Sequence, residues 1–168
     1  AHWTLVMSNL DGFKEVNEAL GHDAGDRLLQ AVAQRLQGML GPACTLARLG
    51  SDEFAFLLDT GDEAQAQDRV RVLLAALRDP FALNDLQIRI SCSFGLAVHP
   101  VHAREPDELI RCADTAMRRA KRDGLGIAVF NPQDRASVHD RLLLRGELRT
   151  ALAQGQFLLH LQPKIFLN

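Results

Sequence analysis

Several common signals are missing from this sequence, and each absence removes a class of function. There is no surplus of one charge sign: 19 Lys and Arg stand against 21 Asp and Glu, interspersed, for a formal net charge of −2. Without a basic field to gather phosphate backbones, nucleic-acid binding is not the default reading. Paired cysteines are missing too. Cys44, Cys92 and Cys112 lie far apart in no CxxC spacing, and three thiols cannot all pair internally, which points to a reducing, cytoplasmic setting. No run of about 18 apolar residues is present to span a bilayer. The opening AHWTLVMSNLDG also lacks a basic n-region and a small-residue cleavage site. No membrane contact is expected from this fragment, although a longer parent could be membrane-anchored upstream. Internal repeats and low-complexity segments are absent as well.

What is present is a chain of 168 residues, 47% apolar, enough to bury one sizeable core with a remnant left over. HWTLVMSNLD reads as a buried strand ended by Gly12. From Phe13 to Leu40 apolar residues recur at helical spacing, interrupted by GHDAGD at residues 21 to 26; two helical pieces joined by a glycine-flanked polar turn are expected. Residues 45 to 58 suggest two strands around a two-residue Gly-Ser turn. A helix from about Glu63 to Leu77 ends before Asp79-Pro80. LQIRISCSFGLAVHP reads as a strand with a bend at Gly95, and a helix from about Pro106 to Arg122 ends at Gly124. IAVF is a short strand, and Asn131-Pro132 precedes an amphipathic helix from about Gln133 to Ala153. The order predicts an α+β fold, a ferredoxin-like βαββαβ core with additions, its helices on one face of a mostly antiparallel sheet.

That fold makes the first strand and the central hairpin neighbours. Asn9 and Asp11 at one strand end would then meet Asp52 and Glu53 at the hairpin tip. Converging oxygens suit a hard cation such as Mg²⁺, which takes one or two carboxylates, water and substrate phosphates. Gly50 and Ser51 are small enough for a phosphate to approach backbone N–H groups. Taken alone, the same residues also describe a solvated turn with capping acids.

The motifs NLDGFKEVNEALGHDAGD, LGSDEF, SCSFGLAV and ADTAMRRAKRDG, in that order and spacing, resemble the GGDEF family of diguanylate cyclase domains. The resemblance implies a nucleotidyl-cyclase-type domain that binds GTP with Mg²⁺. Active members join two GTP into cyclic di-GMP across two facing domains, so a homodimer is a possible assembly. By motif position, Asn17 and Asp26 match the guanine-recognising pair, and Lys14 and Lys121 match phosphate contacts, with Gly50 and Ser51 in the signature loop. Asp52 matches a metal-binding acid, and the backbone carbonyl of Leu10 a second metal ligand. Glu53 matches the following signature acid, with metal binding or activation of the 3′-hydroxyl as its proposed roles. Without the resemblance, Asn17 and Asp26 read as turn and cap residues, and each lysine as part of a solvated face. His22 suits a structural role in its turn. His99 and His102 are separated by Pro100, which argues against a metal pair on one helical face.

The pattern is broken at several points. Asn9 stands where the family usually has the first acid of Asp-x-Asp, a metal ligand in active members. Ser51 replaces the second signature glycine, Leu125 replaces a phosphate-binding arginine, and Arg118 stands at a usual tyrosine. The RxxD element of product inhibition is missing, with Gly41 and Cys44 at its positions, and so is the family's preceding helix with its D-x-L-T motif.

RLLLRGELRTALAQGQFLLHLQPKI resembles the opening helix and strand of an EAL domain, the cyclic di-GMP phosphodiesterase module. The expected division is therefore 1–131, a GGDEF domain, and 132–168, a linker helix and the start of a truncated EAL domain in a GGDEF–EAL tandem. The leading expectation is a degenerate GGDEF domain that binds GTP and regulates the EAL domain of the same chain. The alternatives are an active diguanylate cyclase and a ligand-free dimerisation scaffold.

Overall fold

The computed structural model describes residues 2–42, 44–83, 86–134 and 151–156. Its centre is β1 (Trp3–Asp11), flanked by β3 (Glu53–Leu58) and β6 (Ser91–His99), both antiparallel to it. With β2 (Leu46–Arg48) outside β3 and β7 (Ile127–Val129) parallel to β6, the five-stranded order is β2-β3-β1-β6-β7. A separate hairpin pairs β4 (Phe81–Leu83) with β5 (Leu86–Ile88).

Side chains alternate across this sheet, so each strand feeds two cores. Val6, Leu10, Phe54, Phe56, Phe94 and Leu96 point to the larger core. It is covered by α1 (Phe13–Leu20), α2 (His22–Leu40) and α3 (Glu63–Leu77). Met7, Ala55, Ala97 and Ala128 point to the other face, beneath α4 (Pro106–Arg122). The α+β fold is as expected, and β1, β2, β3 and β6 with α1 to α3 form the βαββαβ core. The expectation that helices cover one face holds only for that core, because α4 covers the second.

α3 begins where Asp62 accepts from the N–H groups of Ala64 and Gln65 at 2.8 and 3.1 Å, an N-cap that satisfies two orphan donors. α4 has Pro106 in its first turn with Asp107 and Glu108, and Arg119, Lys121 and Arg122 in its last, the polarity its dipole favours. Its buried face is mostly small, Cys112, Ala113, Ala116 and Ala120, so its backbone can approach the sheet.

Three local expectations are corrected. GHDAGD is not a connecting turn: the break is Gly21 alone, at φ 85, and His22 to Asp26 already belong to α2. The hairpin reverses over Gly50, Ser51 and Asp52, closed by the Leu49 N–H donating to the Glu53 carbonyl at 2.9 Å. That is a three-residue loop, and Gly50 is not among the positive-φ glycines, as a two-residue Gly-X turn requires. Gly95 does not bend β6. A Cβ there would lie 2.1 Å from the Met117 amide nitrogen and 2.2 Å from the Ala113 carbonyl oxygen, so glycine is needed for α4 to seat.

The contacts divide the chain into residues 1–134 and 135–168. In the second unit, Ala151 to Gln156 are a helix end, with the Gln156 N–H donating to the Ala151 carbonyl at 2.9 Å. The expected opening strand at 157–163 and most of the preceding helix lie outside the described residues.

Candidate nucleotide site

Hydrogen bonding brings the end of β1 against the central hairpin, as the sequence led us to expect. Asn9 is the cross-strand partner of Glu53, and the Leu10 N–H donates to the Asp52 carbonyl at 3.0 Å. The signature loop is held from beneath by Arg48, a residue sequence reasoning did not single out. Its Nε donates to the Gly50 carbonyl at 3.0 Å and its Nη2 to the Ser51 carbonyl at 2.9 Å. A guanidinium does this well because its planar fork presents several donors in fixed geometry. Within the loop, Ser51 Oγ donates to Asp52 Oδ1 at 2.9 Å. The Glu53 carboxylate folds back over Gly50, where an added Cβ would meet it at 3.3 Å.

On the α2 side of the sheet, Asp26, Leu29, Gln30, Ala33, Leu46, Arg48 and Phe54 line a cleft of about 450 Å³. Asn17, half-buried on α1, lies against the first turn of α2. A Cβ at Gly25 would fall 1.9 Å from Asn17 Oδ1. The amide of Asn17 and the carboxylate of Asp26 therefore flank the same turn, one beside Gly25 and the other next to it in sequence. Together they offer donors and an acceptor of the kind that read a purine edge.

On the α4 side, the last turn of α4 delivers Lys121 to β1. Its ammonium donates to Asn9 Oδ1 and lies 4.0 Å from Asp11 Oδ1. Asp11 also accepts from Ser91 Oγ at 2.7 Å and from Ser93 Oγ at 3.0 and 3.1 Å. Both serines come from SCS on β6, where period-two spacing puts them on one face, a signal available in the sequence. Lys14 is placed differently: on the exposed surface of α1 it pairs with Glu18 at 3.2 Å. Arg118, one turn before Lys121, pairs with Asp114 at 2.8 Å. That pairing raises its pKa, with partial burial opposing and Glu53 adding a smaller attraction.

These contacts bear on the metal that the resemblance implies. Asn9 is 7% exposed, and its oxygen is taken by an ammonium rather than open to a cation. Asp11 is engaged by two hydroxyls, and Asp52 by one. Among the described residues no group of three His, Cys, Asp or Glu side chains is placed to hold a metal ion. A resident metal does not fit this arrangement; the oxygens that remain are the signature carboxylates Asp52 and Glu53 and the Leu10 carbonyl.

The other singled-out residues lie elsewhere. His22 is exposed at the start of α2. His99 stacks on Trp3 with centroids 4.9 Å apart, whereas His102 accepts from the Val98 N–H at 2.9 Å and faces Glu63 at 3.2 Å. Burial pushes the Cys92 thiol well above its ordinary pKa, with the Asp11 charge adding to the rise.

This chain belongs to the GGDEF family: the family described as diguanylate cyclase, GGDEF domain, matches residues 1–126. It is 37% identical over 164 residues to the bifunctional diguanylate cyclase/cyclic di-GMP phosphodiesterase MucR of Pseudomonas aeruginosa, covering 97% of this chain and 24% of that protein. It is 39% identical over 162 residues to the cyclic di-GMP phosphodiesterase PdeR of Escherichia coli, covering 96% of this chain and 24% of that protein. The chain thus spans about a quarter of the length of these relatives. The crystal structure of the GGDEF domain of TpbB (YfiN) from Pseudomonas aeruginosa matches with a TM-score of 0.74 and 36% identity. The match covers 77% of this chain and 83% of that one.

Proposed function

We propose that residues 1–134 are a degenerate GGDEF domain that binds GTP and regulates a cyclic di-GMP phosphodiesterase domain of the same chain. The observation that carries this reading is the exchange at the end of β1. Asn9 replaces the family's first acid and is tied to Lys121, while Asp26 still lines an open cleft of nucleotide scale. The site keeps groups for recognition and has lost a metal ligand needed for chemistry.

The tail supports the regulatory half. The match to the diguanylate cyclase TpbB covers 126 residues and 73% of the chain. Matches to MucR and PdeR, both named as phosphodiesterases, cover 97% and 96%. The resemblance of residues 133–168 to an EAL opening agrees with that longer overlap. The sequence character of the chain favours a cytoplasmic setting, and among the described residues no helix is long and apolar enough to cross a membrane.

The test is a calorimetric titration with GTP, with ATP as control, followed by cyclic di-GMP hydrolysis by the whole tandem with and without GTP. GTP-selective binding that changes hydrolysis is the expected result; hydrolysis indifferent to GTP contradicts the regulatory reading. The alternative of an active cyclase is favoured by the retained Asp52 and Glu53 and by the bifunctional name of MucR. It predicts cyclic di-GMP from GTP by a dimer of this domain, with Asn9→Asp changing the yield little.

A further inference from the structure

The contact between Asn9 and Lys121 has a consequence for how the site handles phosphate charge. Lys121 is positioned by the last turn of α4, which packs on β1 and β6 through its small-residue face. Its ammonium is anchored on one side by the Asn9 amide and by Asp11, 4.0 Å away. The side chain is nevertheless 49% exposed.

The charged groups near this point are Asp11, Asp52, Glu53, Lys121 and Arg118, the last already paired with Asp114. Asp11 is countered by Lys121 and by two serine hydroxyls. Glu53, opposite Asn9 in the register, lies within the field of Arg118. Because Asn9 is neutral, Lys121 has one carboxylate beside it, Asp11, rather than two. An aspartate at position 9 would leave one uncompensated negative charge beneath an incoming triphosphate, and a divalent ion would then be needed to offset it.

We propose, resting on the GTP-binding reading above, that this domain binds GTP without a divalent cation, the Asn9-anchored ammonium of Lys121 meeting the phosphates in the metal's place. Lysine suits the role as a compact point charge that binds phosphate through charge-assisted hydrogen bonds. The amide holds the ammonium by its oxygen without neutralising it.

The experiment is a titration of the chain with GTP in excess MgCl₂ and again in excess EDTA, for the native protein, Asn9→Asp and Lys121→Gln. Thermal melts of each variant verify folding. The native protein is expected to bind with affinities within about threefold in the two buffers, since its ammonium faces one carboxylate rather than two. Asn9→Asp is expected to lose about tenfold or more in EDTA and to recover in MgCl₂. Lys121→Gln, a change at a half-exposed position that folding tolerates, is expected to weaken binding about tenfold in EDTA. A native protein whose affinity falls about tenfold or more on chelation overturns the inference and leaves the GTP-binding reading intact. A folded native protein that binds GTP in neither buffer overturns the GTP-binding reading itself.

Discussion

Replacing Gly95 with alanine tests how closely α4 is seated on the sheet, and with it the placement of Lys121. The new methyl carbon would lie 2.1 Å from the Met117 nitrogen, 2.2 Å from the Ala113 oxygen and 2.6 Å from the Met117 Cα. All three are backbone atoms, so no side chain can rotate away. Ordinary contact is about 3.5–4.0 Å, and α4 must therefore retreat by more than about 1 Å. Such a gap forfeits a quarter to a half of each dispersion contact it opens. The contacts at risk belong to Cys112, Ala113, Ala116, Met117 and Ala120, all buried. Overpacking of this kind costs about 1–3 kcal/mol, and a backbone clash belongs at the upper end, about 3 kcal/mol. The matching fall in Tm is roughly 10 °C for a unit of this size. Gly38→Ala is the control: nothing lies within 4 Å of its added Cβ, so the helix gains about 0.5–1 kcal/mol. Urea unfolding followed by circular dichroism reads both changes. A loss below about 1 kcal/mol for Gly95→Ala would refute the close seating of α4.

Further predictions concern other parts of the molecule. Gly25→Ala forces the Asn17 amide, 1.9 Å from the added Cβ, to turn away. The preference for GTP over ATP is expected to fall about tenfold in competition titrations while α2 stays folded. Asp62→Ala removes the cap on Ala64 and Gln65 and is expected to cost about 1 kcal/mol in chemical denaturation. Among the thiols, Cys44 is half-exposed and Cys92 and Cys112 are buried. Iodoacetamide is expected to label Cys44 alone in the native protein and all three in denaturant. Burial raises the Cys44 pKa, outweighing a backbone hydrogen bond from Leu57 and the Arg69 charge. Less thiolate is then present at a given neutral pH than for a free thiol, so labelling is slower in native protein and accelerates as pH rises.

Much of the frame could be read from residue order alone. α3 and α4 follow from apolar residues three and four apart, with Pro80 and Gly124 just past their ends. That β1 and β3 are neighbours followed from the strand order; the register that pairs Asn9 with Glu53 did not. Tertiary context decided the rest. Gly25 looks like a breaker, yet it lies inside α2, where a side chain would collide with Asn17. Gly95 looks like a bend, yet it is flat strand under a helix; the spacing of Cys112, Ala113, Ala116 and Ala120 was the available sign of that approach. β4 is only Phe81, Ala82 and Leu83, too short for a period-two pattern to register. Arg48 was passed over because its role depends on loop carbonyls turning toward it, which no spacing reveals. At the site, the motifs singled out Asn9, Asp26, Asp52 and Lys121, but the bond between Asn9 and Lys121 joins residues far apart in the chain.

The most direct test of the account is calorimetry of the folded chain with GTP and ATP. The account predicts saturable, one-to-one binding of GTP with ATP much weaker, and no cyclic di-GMP among the products. A folded chain that takes up neither nucleotide, or that turns GTP into cyclic di-GMP, would contradict it.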